Sequence, residues 1–238
     1  AYKFSDRMYK YLGQEVFKST DENNFRINLT NEKIKILGKI KQTCLQVYDI
    51  CSVNYGLRPV SLIKGQDKYF FIKKENPRDK YKKYFEGKNI GNWTVKEHSF
   101  IDYQPNIMYN PMFPELFENE KLAGLCTLSD IEKLRFIYDN TGIYCNHSVV
   151  ILTLWHKLEE VNYSTIKRII TKDKITTSKN FSYKYLQTIL NSRMIKFYVK
   201  ELLYDGTHFY PNHIKQLPIK KISPEEQKPF IEVVDKIL

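Results

Sequence analysis

The sequence is poor in the residues and patterns that build covalent scaffolds, membrane spans and nucleotide sites. It has four cysteines among 238 residues and no C-x-x-C pair, which favours a reduced cytoplasmic protein over a disulfide scaffold. No stretch approaches the roughly 20 apolar residues that a membrane-spanning helix requires. A P-loop, a G-x-G-x-x-G loop and a Ser-His-Asp pattern are also absent. The sequence therefore gives no support to a membrane protein, a nucleotide-binding enzyme or a serine hydrolase.

Acidic residues are fewer than basic ones. The chain has 27 Asp and Glu against 38 Lys and Arg, a net charge of +11. Hydrophobic residues at 42% and aromatic residues at 14% argue against disorder. The length suffices for a buried core, in one large domain or two small ones. The positive surplus predicts attraction to a polyanion, without choosing between DNA, RNA and an acidic lipid surface.

The positive charge is concentrated in two blocks. Residues 64–88 hold nine basic against four acidic residues and residues 167–184 hold six against one, so each block carries +5. Aromatic residues such as Tyr69, Phe70 and Tyr84 are interleaved in the first block. Such blocks could neutralise phosphates and displace condensed counterions. The solvated surface of a lysine-rich protein would show the same pattern, so both interpretations stay open at this point.

Apolar periodicity predicts a mixed α/β globule with a mixed or antiparallel sheet and helices at both chain ends. Helical spacing runs through residues 2–18 and resumes after Thr30 or Asn31, either of which could cap the second helix. Short strand-like runs follow. Val149–Leu152 is a continuous apolar run, which is typical of a strand covered on both faces.

Two further helices are predicted near the end of the chain. A broad apolar stripe indicates one long helix over residues 182–203, ended by Asp205-Gly206. A last helix begins after Ser223, the predicted N-cap, with Pro224 at its first position.

Patterns that could carry chemistry are incomplete. His208 and His213 are separated by a proline, and Cys145 with His147 lacks the further ligands that a closed zinc site needs. We therefore predict structural histidines and no metal site. Residues 110–113, Asn-Pro-Met-Phe, lack the second proline of an amino-methyltransferase motif.

A magnesium-dependent nuclease is the enzymatic alternative. Glu86-Gly87-Lys88 follows Asp79, which is close to an arrangement in which two carboxylates hold Mg²⁺ and a lysine polarises water. Glu86 and Gly87 fall in a glycine-punctuated turn, which argues against the site. The alternative is a free-standing nuclease that uses Asp79, Glu86 and Lys88.

Several phrases occur in an order that resembles a known family. They include NYGLRPVSLIKGQDKYFFIKK, KYFEGKNIGNW, RFIYDNTGIYCNHSVVIL and YKYLQTILNSRMIKFYVKELLYDGTHFYPNHIKQLPI. Together they resemble the TaqI-like C-terminal specificity domain of single-chain, type IIG or IIS restriction-modification enzymes. The resemblance spans residues 49–238 and is most specific over 186–219. It implies a helical linker region at 1–46, leading from an upstream catalytic domain, and a DNA target-recognition domain at 47–238.

The resemblance implies recognition of double-stranded DNA without catalysis in this chain. An upstream adenine-type DNA methyltransferase, with an endonuclease as a further option, would use S-adenosylmethionine and Mg²⁺; this chain itself would hold no cofactor. We also expect both chain ends to be internal to a longer protein. A specificity subunit that assembles with separate methyltransferase chains is the second alternative.

The resemblance and the charge blocks together give a set of candidate DNA contacts. Base-edge candidates have suitable donors near glycine turns: Arg58, Gln66, Asn89 and Asn92. Phosphate candidates come from the two basic blocks: Lys64, Lys73, Lys74, Arg78, Lys80, Lys82, Lys83, Lys88, Lys167, Arg168 and Lys172. Residues 205–219 would be a connector, with Leu217 and Ile219 packed inward and Pro218 at an edge or turn.

Overall fold

A computed structural model describes residues 29–67, 70–77, 80–204, 206 and 209–238. The helix predicted over residues 2–18 lies outside these ranges. The α-helices are α1 (Asn31–Thr43), α2 (Val47–Ile50), α3 (Glu115–Glu118), α4 (Ser164–Ile169), α5 (Lys172–Ser178), α6 (Tyr183–Leu190), α7 (Arg193–Leu202), α8 (Pro211–Lys215) and α9 (Pro224–Ile237). The strands are β1 (Cys44–Gln46), β2 (Cys51–Tyr55), β3 (Arg58–Ser61), β4 (Ile72–Lys73), β5 (Lys82–Phe85), β6 (Ser99–Ile101), β7 (Met108–Asn110), β8 (Lys121–Leu125), β9 (Phe136–Asp139), β10 (Tyr144–Cys145), β11 (Val149–Leu154) and β12 (Pro218–Lys220). The predicted mixed α/β class is confirmed.

A central antiparallel sheet, in the order β2-β11-β8-β9, separates two hydrophobic cores. Every residue of β11 is buried. Because successive side chains of a strand point to opposite faces, Val150 and Leu152 enter the first core and Val149 and Ile151 the second. The prediction that the apolar run is covered on both faces is confirmed.

The first core lies between the central sheet and the helices of the C-terminal half. Leu186 and Leu190 of α6, Ile195 and Val199 of α7, and Ile214 of α8 are all buried there. These helices therefore hold one face of the sheet.

The prediction of a single helix over residues 182–203 is wrong in one respect. The structure has two helices there, α6 and α7. Ser192 caps α7 by accepting a hydrogen bond from the amide of Ile195. Asn191, at the break, accepts from the amide of Phe136 (2.7 Å) and donates to its carbonyl (2.8 Å). These bonds satisfy the amide and the carbonyl of Phe136 in the edge strand β9. They form at the position where α6 ends.

The second core lies on the opposite face of the central sheet. It is covered by a second sheet, β10-β5-β6-β4, by the β3–β7 pair and by Trp155. Phe117 stacks on Tyr144 with 4.5 Å between ring centroids. The basic residues of the first block lie on and around this second sheet.

Both ends of the described chain are tied to the first core. Thr30 caps α1, Leu37 is buried in the first core, and β1 pairs with β12. Ser223 caps α9 in a capping box with Glu226, as predicted for the N-cap. The division at residue 46 stays a prediction.

The segment after α7 is a connector built from buried apolar residues. Leu217 and Ile219 are fully buried and Pro218 lies in β12, a strand of a two-stranded sheet. Phe209 is also buried in the first core, while Asp205 and His208 lie outside the described residues. The predicted packing of the Leu-Pro-Ile sequence is confirmed.

A buried ion pair ties β8 to β9. Lys121 donates to Asp139, its register partner, and to the carbonyl of Phe117. Asp139 also accepts from the amides of Thr141 (2.9 Å) and Ile143 (3.2 Å). The buried charges are thus paired and hydrogen-bonded, as burial requires.

Gly56 is the glycine at which a side chain would disturb the sheet most directly. A Cβ there would lie 2.3 Å from the carbonyl oxygen of Asn146 and 2.4 Å from that of Cys145. We expect Gly56→Ala to lower the free energy of unfolding by about 1–3 kcal/mol, because backbone must move to make room. Gly38→Ala is the control: in α1, with open space around its Cβ, it should stabilise by about 0.5–1 kcal/mol. Urea denaturation midpoints at unchanged m-value measure both, and an unchanged midpoint for Gly56→Ala would contradict the packing.

Candidate nucleic-acid interface

The second sheet presents a row of basic and aromatic side chains away from the core. Lys73 of β4, Phe100 of β6 and Lys83 of β5 are direct register partners, so their side chains share one face. Both lysines are exposed. His98 contacts the Phe100 ring edge-on, with 5.3 Å between centroids. The alternation of lysine and ring suits phosphate neutralisation beside a stacking surface.

A cleft of about 420 Å³ lies next to this row. Its lining includes Lys83 and His98 from the first half of the chain, Tyr138 from β9, and Lys184 and Asp235 from the C-terminal helices. The cleft therefore brings together one lysine from each of the two basic blocks.

A second cleft of about 340 Å³ shares Tyr138 and Lys184 with the first, so the two adjoin. It adds Lys157, Lys179 and His156 to the basic lining. The two clefts together are called the basic groove below. Tyr138 and Lys184 line both clefts, and Lys83, Lys157 and Lys179 complete the lysines of the groove.

Tyr138 has a fixed protonation state at the centre of the groove. Burial, and then its hydrogen bond to Glu120 (3.1 Å), raise the pKa of its hydroxyl to about 12. The hydroxyl thus stays a neutral donor through the physiological range. Lys184 lies 5.8 Å from the centroid of the Tyr138 ring, within cation–π range.

Carboxylates offset several of the lysines. Within the groove, Lys184 pairs with Asp235, and Lys157 lies 3.7 Å from Glu120. Outside it, three phosphate candidates are paired: Lys80 with Asp102 (3.3 Å), Lys82 with Glu118 (3.1 Å) and Lys88 with Glu86 (2.9 Å). A phosphate would have to compete with these carboxylates, so the paired lysines contribute less potential than their number suggests.

The remaining phosphate candidates are scattered. Lys64 is exposed on the loop after β3, and Lys74 follows β4. Lys167 and Arg168 are exposed on α4, and Lys172 begins α5. Arg78 lies outside the described residues. Of all the candidates, the structure brings Lys83 into the groove and places Lys73 in the row beside it.

The base-edge candidates differ in how their side chains are engaged. Asn89 accepts from the amide of Glu86 (3.1 Å), and Asn92 accepts from Arg135 (2.8 Å). Gln66 accepts from Ser61 (2.5 Å). Arg58 is exposed at the start of β3. The pKa of His147 is lowered first by burial of the imidazole and then by the positive charge of Arg58.

Several groove residues were not among the sequence candidates. Lys179 and Lys184 belong to the second basic block, whereas Lys157, His98 and His156 lie outside both blocks. Charge density alone could have suggested the first two. Another member of that block is structural: Lys174 lies 3.7 Å from the centroid of the Tyr48 ring and donates to the carbonyl of Ile169 (3.0 Å).

Among the described residues, no further ligand lies beside the nuclease and zinc arrangements that were considered from the sequence. Asp79 lies outside the described residues, and Glu86 pairs with Lys88. Across the described ranges, no group of three or more His, Cys, Asp or Glu side chains could hold a metal ion. The nuclease stays an untested alternative. None of the helices in those ranges combines the length and apolar character that crossing a bilayer requires.

Part of the C-terminal half of the chain is similar to a known protein family. Residues 160–219 match the family described as the TaqI-like C-terminal specificity domain. The matched segment runs from before α4 into β12 and includes Lys179 and Lys184 of the groove. It also contains all of residues 186–219, the section in which the sequence resemblance is most specific.

The fold was also compared with solved structures. The structure is similar to the crystal structure of the HsdS subunit from Thermoanaerobacter tengcongensis, with a TM-score of 0.47 and 10% identity. The similarity covers 86% of this chain, which spans 42% of that chain's length. No curated protein sequence matches the chain.

His156, one of the two histidines that line the groove, makes the stability of the fold depend on pH. Burial first, and then Lys157 and Lys179, lower the pKa of His156 below its usual 6.5. The unfolded chain therefore binds more protons near pH 6, and the free energy of unfolding should decrease as pH falls from 7.5 to 5.5. Replacing the imidazole by an amide, His156→Gln, should flatten this dependence.

Urea denaturation at a series of pH values measures the effect. His147→Gln is the matched comparison, because the pKa of His147 is lowered in the same direction, also mainly by burial. The double variant His147→Gln with His156→Gln lacks both histidines. If its free energy of unfolding decreases between pH 7.5 and 5.5 as much as that of the wild type, these histidines do not cause the pH dependence.

Proposed function

We propose that the chain is a DNA target-recognition module of a restriction-modification system and that it binds duplex DNA along the basic groove. The observation that carries the proposal is the match of residues 160–219 to the TaqI-like C-terminal specificity domain. The groove supports it independently, because lysines distant in the sequence line one surface. A groove of this kind would position DNA through its phosphates.

Two kinds of contact would divide the work. Lysines such as Lys73, Lys83 and Lys179 would neutralise phosphates and release counterions, which gives affinity that falls with salt. Side chains that reach base edges would add sequence discrimination. Lys64, Lys74, Lys167, Arg168 and Lys172 remain candidates for further phosphate contacts at the ends of the bound duplex.

The catalytic partner belongs to the same proposal. The module would direct an adenine-type DNA methyltransferase, and in some arrangements an endonuclease, to its site in the cytoplasm. That partner would be an upstream domain of the same chain, as in type IIG or IIS enzymes, and would bind S-adenosylmethionine and Mg²⁺. A partner on a separate chain would use this module as a specificity subunit, and the recognition chemistry would be the same.

Charge reversal in the groove tests DNA binding. We expect the double variant Lys83→Glu and Lys179→Glu, one residue from each cleft, to weaken duplex binding by at least about tenfold. The slope of log affinity against log salt should fall by about two, since each phosphate contact contributes about 0.9. Fluorescence anisotropy with a mixed-sequence duplex at several salt concentrations measures both quantities.

The control carries the same charge change elsewhere. Lys35→Glu and Lys39→Glu replace two exposed lysines of α1, outside both clefts. This variant should alter affinity only slightly and leave the salt slope unchanged. Equal losses in the two double variants would show that net charge, and not the groove, accounts for binding.

Neighbouring lysines of β5 offer a finer comparison. Lys82 pairs with Glu118, whereas Lys83 lines the cleft. We expect Lys83→Ala to lower the salt slope by about one and Lys82→Ala to lower it by less than half of that. The reverse order would place the DNA on the other side of the strand.

A further inference from the structure

Two antiparallel chain segments pair, separate and pair again, and only one of them carries extra residues between the two paired regions. Arg58 pairs with Asn110, and the amide of Leu62 donates to the carbonyl of Ile107 (2.8 Å). The pairing resumes where the backbone amide of Asp102 donates to the carbonyl of Phe71 (2.9 Å). Between these points one segment uses residues 102–107, while the other is longer and includes the described residues 63–67 and 70. Those described residues are called the loop below, and β3 with β7 the ribbon.

The ribbon and its loop expose an unusual number of large apolar side chains. Among the described residues, these are 42% to 62% exposed: Val60, Leu62, Ile63, Phe70 and Tyr109. Eleven large hydrophobic residues are exposed in the described part of the chain, and five of them lie here. A group of exposed large apolar side chains on one ribbon and its loop indicates an interaction site.

Charge and donors around this surface indicate DNA as its occupant. Arg58 begins the ribbon, Lys64 follows Ile63 in the loop, and Lys73 and Lys74 come directly after the pairing resumes. Lysine is depleted in the cores of protein–protein interfaces, whereas Lys and Arg are common donors to DNA phosphates beside a base-reading element. A two-stranded ribbon fits the width of the major groove.

Ser61 holds the first part of the loop through two hydrogen bonds. Ser61 donates to the amide oxygen of Gln66 (2.5 Å) and accepts from the amide of Ile63 (3.1 Å). Gly65 adopts φ +88°, which favours glycine. The side-chain oxygen of Gln66 accepts from Ser61, so the Nε2 group is the remaining donor of the amide.

We propose that the ribbon and its loop enter the DNA major groove as the base-reading element, an inference that rests on the proposed function. Leu62 and Ile63 contact thymine methyl groups, and Gln66 donates from Nε2 to an acceptor on a neighbouring base edge. Lys73, at the return of the loop, lies in the same cross-strand row as Lys83 of the groove. The base-reading element and the phosphate-binding groove are therefore parts of one surface.

Selection from a random duplex pool tests the assignment. The wild type should enrich a motif that includes thymine, and the variant Leu62→Ser with Ile63→Ser should lose roughly tenfold discrimination at one or two adjacent positions. Gln66→Ala should relax one neighbouring position. The salt slope should stay unchanged in both variants, because neither removes a phosphate contact. Ile36→Ser with Val233→Ser, which replaces two equally exposed apolar residues on α1 and α9, should enrich the wild-type motif.

Removing the thymine methyl provides a direct chemical test. In the selected duplex, deoxyuridine in place of the relevant thymidine should weaken wild-type binding by about fivefold and leave the Leu62→Ser, Ile63→Ser variant unaffected. Thermal unfolding of each variant at the wild-type temperature shows that the fold is intact.

The outcomes separate the inference from the function. A wild type that enriches a motif which the ribbon variants also enrich overturns the inference and leaves DNA recognition standing. A wild type that binds duplexes with salt dependence but enriches no motif overturns base reading by this ribbon. A wild type that binds no duplex overturns the proposed function and the inference together. Unchanged DNA selection combined with loss of binding to a methyltransferase chain assigns the apolar surface to a protein partner and also overturns the inference.

Discussion

The burial of β11 on both faces is the constraint on which the rest of the structure depends. A strand whose six residues are all buried needs partners on both edges and apolar cover above and below. β2 and β8 provide the edges, the C-terminal helices cover one face, and the second sheet covers the other. The groove forms beside Tyr138 of β9, the edge strand of this sheet, where its lining also includes Lys83 of β5 and Lys184 in the first turn of α6. It is thus a consequence of where the two layers end.

Much of the fold could be predicted from the sequence because its signals are local. The apolar run at Val149–Leu152, the cap at Ser223 and the inward Leu217 and Ile219 each follow from periodicity or turn chemistry over a few residues. The break between α6 and α7 could not, because it depends on Asn191 bonding to the backbone of Phe136, 55 residues away. Apolar periodicity continues through the break, so the pattern alone predicts one helix.

The candidate site was harder to predict for a related reason. Counting lysines in a window finds the two blocks but not that Lys83 and Lys184 line one cleft, nor that Lys157, outside both blocks, joins them. Counting also treats all lysines as equal. The structure distinguishes Lys82, which pairs with Glu118, from Lys83 on the next position of the same strand. Ion pairs between distant residues therefore decide how much of the formal charge of +11 faces a ligand.

The exposed residues of the loop lie outside the hydrophobic core that holds the neighbouring strands. Ile72 and Ile101 are register partners where the pairing resumes after the loop, and Ile101 is fully buried in the second core, as is Phe71. The strands that carry the loop are therefore held by packing that its exposed residues do not share. Replacing Leu62, Ile63 or Gln66 removes little buried area, so the loop can change sequence at small cost in stability. A recognition module organised in this way can acquire a new base preference while the phosphate-binding groove and both cores stay the same.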